Sequence, residues 1–321
     1  MASTNRYSGL LCLAALLTLC GPHLASGGQQ RPARQATGQA ADFVRLQGPG
    51  DSPAALQTSV LRYRDPRRID VHVDLVSAIH IGEAGYFATL NELFRNYDVV
   101  LYELVAEPGA RIPRAGPPGS GNPVSFLQTT ARSFLGLESQ LEQVDYTGDN
   151  FRHADLGPAD LAARMRQRGD TGWSLAVDAL AEMMQRAGKT EAMTAAGQSI
   201  TLDGLLELMS DPLKAKQFMA RQLGSARLIE GGLGEKLNQL IIVDRNQAAA
   251  GVLDEELESG STKIAIFYGA AHMPDFHQRL EHRGFRPAGQ SWITAWDLTR
   301  SPARRQAPMS RLIDMMRQLD R

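Results

Sequence analysis

Only two cysteines occur in the 321 residues, Cys12 and Cys20, and both lie near the N-terminus in a stretch that reads as an export signal. The chain beyond that signal therefore has no disulfide and no thiolate to act as nucleophile or ligand, which excludes cysteine proteases, zinc ribbons and redox motifs. Net charge is also scarce: a formal −1 leaves no broad basic field, which argues against nucleic acid as a partner. No Gly-x-Ser-x-Gly elbow is present, so Ser-His-Asp hydrolysis has no signal. Gly231-Gly-Leu-Gly234 is not followed by Lys-Ser or Lys-Thr and reads as a hinge between helices rather than a phosphate loop. No repeat of solenoid period occurs.

What is present begins with a secretory pattern. Arg6 gives a positive start, Leu10 to Leu19 an apolar stretch, and Ala25-Ser26-Gly27 a small-residue cleavage site, so residues 1–27 are expected to be a signal peptide. The apolar stretch is well short of the roughly 20 residues that span a bilayer, so no stable membrane span is expected in the mature form. A lipoprotein using Cys20 ranks lower, because Leu19 is bulkier than the residue such a site carries. Cleavage removes Arg6 alone among charged groups and moves the formal charge from −1 to −2. A periplasmic or extracellular location follows.

Residues 28–55, rich in Gln, Gly and Arg at their start, are expected to form a disordered linker, with order beginning near Leu56. Ile69 to Val76 alternates and reads as a strand, and Glu83 opens a segment with Tyr86, Leu90, Leu93 and Phe94 at helical spacing. Val99 to Tyr102 is a short apolar run fit for a strand buried on both faces, which completes a β-α-β unit whose strands are expected to be neighbours. Gly- and Pro-rich Glu107 to Pro123 reads as a loop able to act as a lid. Residues from about 123 to 257 read as a helical insertion or cap, Ile264 to Tyr268 as the next strand, Pro274 to Arg283 as a helix and Ser291 to Leu298 as a final strand. The expected fold is thus α/β over 56–300, a central mostly parallel or mixed sheet with flanking helices and a helical insertion. A C-terminal amphipathic helix is expected over 301–321, with Met309, Leu312, Ile313, Met316 and Leu319 on one face.

Two histidines occupy matching frames, Ser77-Ala-Ile-His80 and Gly269-Ala-Ala-His272, each after a strand and before a helix. Parallel sheets gather ligands beyond the carboxyl ends of their strands, so both can meet in one pocket. Glu103 ends the Val99–Tyr102 run on the same edge. Two imidazoles and a carboxylate suit zinc, iron, manganese or cobalt, and three protein ligands leave room for a water the metal can acidify. The alternative for each histidine is a hydrogen-bonded structural residue.

Glu83, three residues after His80, reads as a general base or as an acid stabilised at a helix N-terminus. Asp74, two residues from His72 on one strand face, reads as a partner supporting the ligands, and Ser77 as part of the first turn. His153 and Asp155 read as contacts from the cap or, more blandly, as a surface His and a helix cap. Arg245 reads as a guanidinium for a substrate carboxylate or oxyanion, or as a surface salt bridge.

Ser77-Ala-Ile-His80-Ile-Gly82, Asp98-Val-Val-Leu-Tyr-Glu103, Asp244-Arg-Asn246 and Gly269-Ala-Ala-His272-Met-Pro274 together resemble the TraB/PrgY/GumN family, related to the Tiki metalloproteases, over roughly Ile69 to Phe285. The resemblance implies an α/β domain similar to erythromycin-esterase-like and ChaN-like proteins, with paired Gly-x-x-His motifs and an acidic residue at the site. It maps His272 with Gly269 as its glycine, Glu103 as the acid, and Arg245 with Asn246 as an Arg-Asn pair. Ser77 departs from the pattern by standing at the first glycine. Phe151-Arg-His153-Ala-Asp155 also resembles a family segment. The implied function is an exported metal-dependent hydrolase, peptidase-like, acting on a peptide or small molecule. The alternative is a non-catalytic binder of peptide or haem using the same pocket.

Overall fold

The computed structural model describes residues 42–49, 52–106, 134–171, 174, 210–224 and 235–301. The expected signal peptide, the lid loop and the C-terminal helix lie outside the described residues. The fold is α/β, with a seven-stranded mixed sheet and helices on its faces. The strands of this sheet are β1 (Val44–Gln47), β2 (Ala55–Asp65), β3 (Arg68–Ala78), β5 (Val99–Tyr102), β7 (Phe151–His153), β8 (Lys263–Gly269) and β9 (Arg286–Asp297). They run in the order β1-β2-β3-β8-β5-β7, with β9 also paired to β2. The pairings of β2 with β1, β3 and β9 are antiparallel; those of β3 with β8, β8 with β5, and β5 with β7 are parallel. A separate two-stranded pairing joins β4 (Ile81–Gly82) to β6 (Glu138–Ser139).

The central strand explains the architecture. In β8 the residues Ile264 to Tyr268 are all fully buried, with Ala265 and Phe267 in one core and Ile264, Ile266 and Tyr268 in the other. A strand covered on both faces by helices has no polar side to keep, so its sequence is a continuous apolar run rather than an alternation. Helix α1 (Ala84–Phe94) covers one face through Tyr86, Phe87, Leu90 and Phe94. Helices α6 (Asp244–Ser259) and α7 (Met273–His282) cover the other, through Ala249 and Leu253 and through Phe276 and Leu280. Of the remaining helices, α2 (Gln140–Gln143), α3 (Pro158–Gln167) and α4 (Pro212–Leu223) lie in the region read as a cap, and α5 (Glu235–Asn238) leads through a π-turn, Gln239–Val243, into α6.

Three expectations are corrected. β3 and β5 are not neighbours, because β8 enters between them. The most apolar strand takes the central position, and the β3-α1-β5 crossover spans the place it later fills. Order begins before Leu56: Val44 to Gln47, inside the expected linker, pairs with the start of β2. The segment 123–257 is not wholly a helical insertion, since Phe151–His153 is a strand of the main sheet. Three residues carry too little apolar pattern to announce a strand, and this one exists through pairing with β5.

Phe267→Ala should lower stability by about 3–5 kcal/mol, because the fully buried ring leaves a cavity between α1 and the sheet. Ile69→Ala, at a position 81% exposed, should cost less than about 0.5 kcal/mol. Urea unfolding of both variants followed by circular dichroism checks the contrast.

Candidate functional site

Four parallel strands end on the same edge of the sheet, and each is followed at once by a residue of the site: His80 after β3, His272 after β8, Glu103 after β5 and Asp155 after β7. The cluster is built around Arg245 of α6. Its Nη2 donates to Glu103 Oε1 at 2.7 Å, while Nε and Nη2 grip Asp155 Oδ1 and Oδ2 at 2.9 and 2.6 Å. The three side chains are 5%, 9% and 0% exposed. A guanidinium buried to that degree is tolerated only when its charge and donors are matched, and two carboxylates do this. The trio sets one guanidinium against two carboxyl groups at the carboxyl edge of the parallel strands.

Glu103 is fixed at its second oxygen as well, where Gly269 N donates to Oε2 at 2.7 Å. Burial alone would raise its pKa; the Arg245 guanidinium, then His272 and His80, outweigh burial and hold it well below its ordinary value of 4.5. Burial would lower the Arg245 pKa, and Glu103 and Asp155 reverse that and raise it. The pair is therefore ionised at neutral pH.

The imidazoles are oriented by side-chain amides. His272 Nδ1 lies 2.6 Å from Asn246 Oδ1, while Asn246 Nδ2 donates to His272 O at 2.9 Å and to Asp275 Oδ2 at 2.8 Å. A carbonyl and a carboxylate only accept, so the amide orientation is fixed and His272 Nδ1 must carry a hydrogen. Its Nε2 is thereby turned to Glu103 Oε1, 3.4 Å away. His80 repeats the arrangement: Nδ1 meets Gln140 Oε1 at 3.1 Å, and Gln140 N also donates to His80 O at 2.9 Å. A Cβ on Gly269 would stand 3.3 Å from His80 Nε2 and 3.2 Å from Glu103 Oε2. Glycine at 269 thus lets the carboxylate and the first imidazole close on the same point.

Asn246 and Gly269 therefore support the ligands directly, and Arg245 holds Glu103. Asp155 anchors Arg245 and also accepts from Leu156 N, and the helix that follows is capped from Gly157, not from Asp155. His153 Nε2 meets Leu104 O at 2.7 Å and so braces the backbone just past Glu103. Ser77 is fully buried, and its hydroxyl has no hydrogen-bond partner among the described residues. The strand register aligns Ser77 with Tyr268 and Ala78 with Gly269, so the two histidine frames are offset by one residue in the sheet.

Two expectations about the site change. Of the two readings of Glu83, the acid at a helix N-terminus is the one that stands, since Glu83 immediately precedes α1; it does not act as a base at His80, because its carboxylate pairs with buried Lys216 of α4 and accepts from Asp297 N at 3.0 Å, locking α4 and β9 to the start of α1. The helical spacing that suggested otherwise does not apply, since Ile81–Gly82 is extended and the helix begins only at Ala84. Asp74 takes two bonds from Arg62, at 2.9 and 2.7 Å, and one from Tyr97 at 2.7 Å, and so ties β2, β3 and the end of α1 together rather than supporting the ligands. Gln140 was missed. It lies in the region read as a helical insertion, where nothing about its type or spacing singled it out.

Among the described residues no group of three or more His, Cys, Asp and Glu side chains is placed so that it could hold a metal ion. Also among them, no helix is long and apolar enough to cross a membrane. Comparison of the chain with protein-family models, curated proteins and solved structures returns no match.

Arg245→Met should destabilise the chain by about 3–5 kcal/mol at neutral pH, because it strands two buried carboxylates. Glu103, depressed in the folded wild type, stabilises above its unfolded pKa and loses that contribution as pH falls through the folded value. In the variant burial is no longer opposed by the guanidinium and pushes the Glu103 pKa up, so the variant's penalty is relieved as pH falls towards the ordinary value of 4.5 and the wild type's gain is lost below it; the gap should narrow steadily from pH 7 downward. Urea titrations at pH 7, 5 and 4 measure it, and a gap independent of pH would contradict the assignment.

Proposed function

We propose that this chain is an exported metal-dependent hydrolase acting on a peptide or peptide-like substrate at the carboxyl edge of its parallel strands, with His80, His272 and Glu103 holding a divalent zinc, manganese, cobalt or iron ion. The observation that carries the reading is the shared tethering of the two imidazoles. Each has its Nδ1 at a side-chain amide oxygen, of Gln140 or Asn246; His272 Nε2 then faces Glu103 at 3.4 Å, and His80 Nε2 and Glu103 Oε2 both border the space beside Gly269. Imidazole ligands are oriented in this way by a second partner at the other ring nitrogen. A lone pair on His272 Nε2 facing an ionised carboxylate at 3.4 Å is favourable only when a cation or a proton lies between them. Imidazole and carboxylate are the donor types such an ion prefers, while the placement of the three side chains is not that of a formed metal site.

When bound, such an ion supplies an acidified water and polarises the carbonyl of the substrate. The chain's own groups do the rest: Arg245 and Gly269 N keep Glu103 ionised and aimed, Asn246 and Gln140 fix the rings, and Gly269, lacking a side chain, lets His80 Nε2 and Glu103 Oε2 approach one point. The ordered motifs resembling the TraB/PrgY/GumN family make peptides the first substrates to try, and residues 1–27 support export to the periplasm or beyond. The second reading, a binder of peptide or haem without turnover, is favoured by the hydrogen bonds Glu103 already accepts at both oxygens and by the absence, among the described residues, of a group of side chains placed to hold a metal ion.

Metal content of the purified mature chain, and peptide cleavage in manganese, cobalt or zinc, test the proposal. The wild type should bind about one ion, and His80→Ala and His272→Ala should each lower affinity by at least roughly 10–100-fold and abolish cleavage together with it. Full activity in excess chelator, or tight peptide or haem binding with no turnover in any metal, would sink the reading.

A further inference from the structure

Tyr146 stands at the site in a role the sequence did not suggest. It follows α2, half-buried, with its ring 5.2 Å from that of Tyr102, the residue before Glu103, and 5.6 Å from that of Phe151. Its hydroxyl accepts from Gln140 Nε2 at 3.0 Å. Gln140 has already committed Oε1 to the hydrogen on His80 Nδ1, so only its amide N–H groups face Tyr146. In this arrangement Tyr146 is the acceptor at the end of the chain His80, Gln140, Tyr146. A phenol oxygen that takes a hydrogen bond keeps its own O–H to give. Burial raises the Tyr146 pKa, Gln140 opposes that, and the nearby charge of Glu103 adds to the rise, so the hydroxyl stays protonated at neutral pH.

We propose that Tyr146 donates its O–H to the carbonyl oxygen of the substrate and stabilises the negative charge that develops there, an inference that rests on the hydrolase reading above. As the oxygen of the attacking water bonds to the carbonyl carbon, the π pair of the C=O moves onto the carbonyl oxygen, and the Tyr146 hydrogen bond strengthens. On collapse that pair returns and the C–N bond breaks. The leaving amine takes one water proton, the other is released from the new carboxyl group, and Tyr146 keeps its own. A donor fixed in advance beside a buried cluster is worth more than one in water, because it need not reorganise as charge appears.

The test is Tyr146→Phe in the full, metal-loaded chain. The variant keeps the ring packing on Tyr102 and Phe151 and loses only the hydroxyl. kcat for peptide cleavage should fall by about 10²–10³-fold, with KM within roughly threefold and with metal content and pH profile unchanged. A loss below about threefold overturns the proposal, and so does a change in metal content or pH profile, which would mean that Tyr146 acts only by propping Gln140 and His80. A peptidyl phosphonate, whose tetrahedral anion resembles the charged intermediate, gives a readout independent of turnover. Calorimetry should show it bound at least about tenfold more weakly by the variant, and equal affinity overturns the proposal. If the wild type takes metal and phosphonate but cleaves nothing, the hydrolase reading fails while the affinity comparison still decides Tyr146. If it takes neither, both fail.

Discussion

The site depends on the burial of one guanidinium. Arg245 ties the ends of β5 and β7 to α6 by gripping Glu103 and Asp155 at once, in a place where none of the three charges could remain alone. Burial works against the ionised forms of Glu103 and Arg245, and their proximity restores both. The cluster is therefore cooperative. Glu103 can face two imidazoles as a carboxylate only because Arg245 stands behind it, and Arg245 can lie in the interior only because β7 brings Asp155 to its other side. A three-residue strand at the edge of the sheet thus has a large electrostatic consequence at its centre.

Much of this was legible where the chemistry is local. The strands ending at Glu103 and just before His272 carry continuous apolar runs because helices cover both faces of the sheet, and such runs are visible without coordinates. Placing both histidines and Glu103 beyond strand ends needed only the direction of the parallel chain. What escaped was whatever depends on distance in sequence. Gln140 reaches His80 across 60 positions, and Asp155 and Arg245 meet across 90, through bonds that leave no period behind. The order of the strands was hidden for the same reason, because a crossover records the two strands it joins and not the strand that enters between them.

Of the two readings of Glu83, the one as a base shows the opposite difficulty, a local rule applied where the local structure differs, while the one at a helix N-terminus stands. Spacing of three suggests adjacency only on a helix. Here the chain remains extended through Ile81–Gly82, paired with Glu138–Ser139, before the helix starts. That short pairing carries a gain of its own, since it delivers Gln140, the next residue after β6, to the turn that carries His80. The two imidazoles are thus matched in their hydrogen bonding although their frames are offset in register, and the match is made by partners from unrelated parts of the chain.

The π-turn at Gln239–Val243 sits directly ahead of Asp244, Arg245 and Asn246, all of which are buried. A π-turn accommodates an extra residue within a helix, and one residue corresponds to about 100° of rotation. The turn therefore acts as an angular offset between the solvent-facing start of this long helix and the portion that serves the pocket. Which side chains look inward is decided by the phase set there, so the helix upstream can vary in surface composition without disturbing the aim of Arg245 and Asn246, whereas a change of length by a single residue would redirect both.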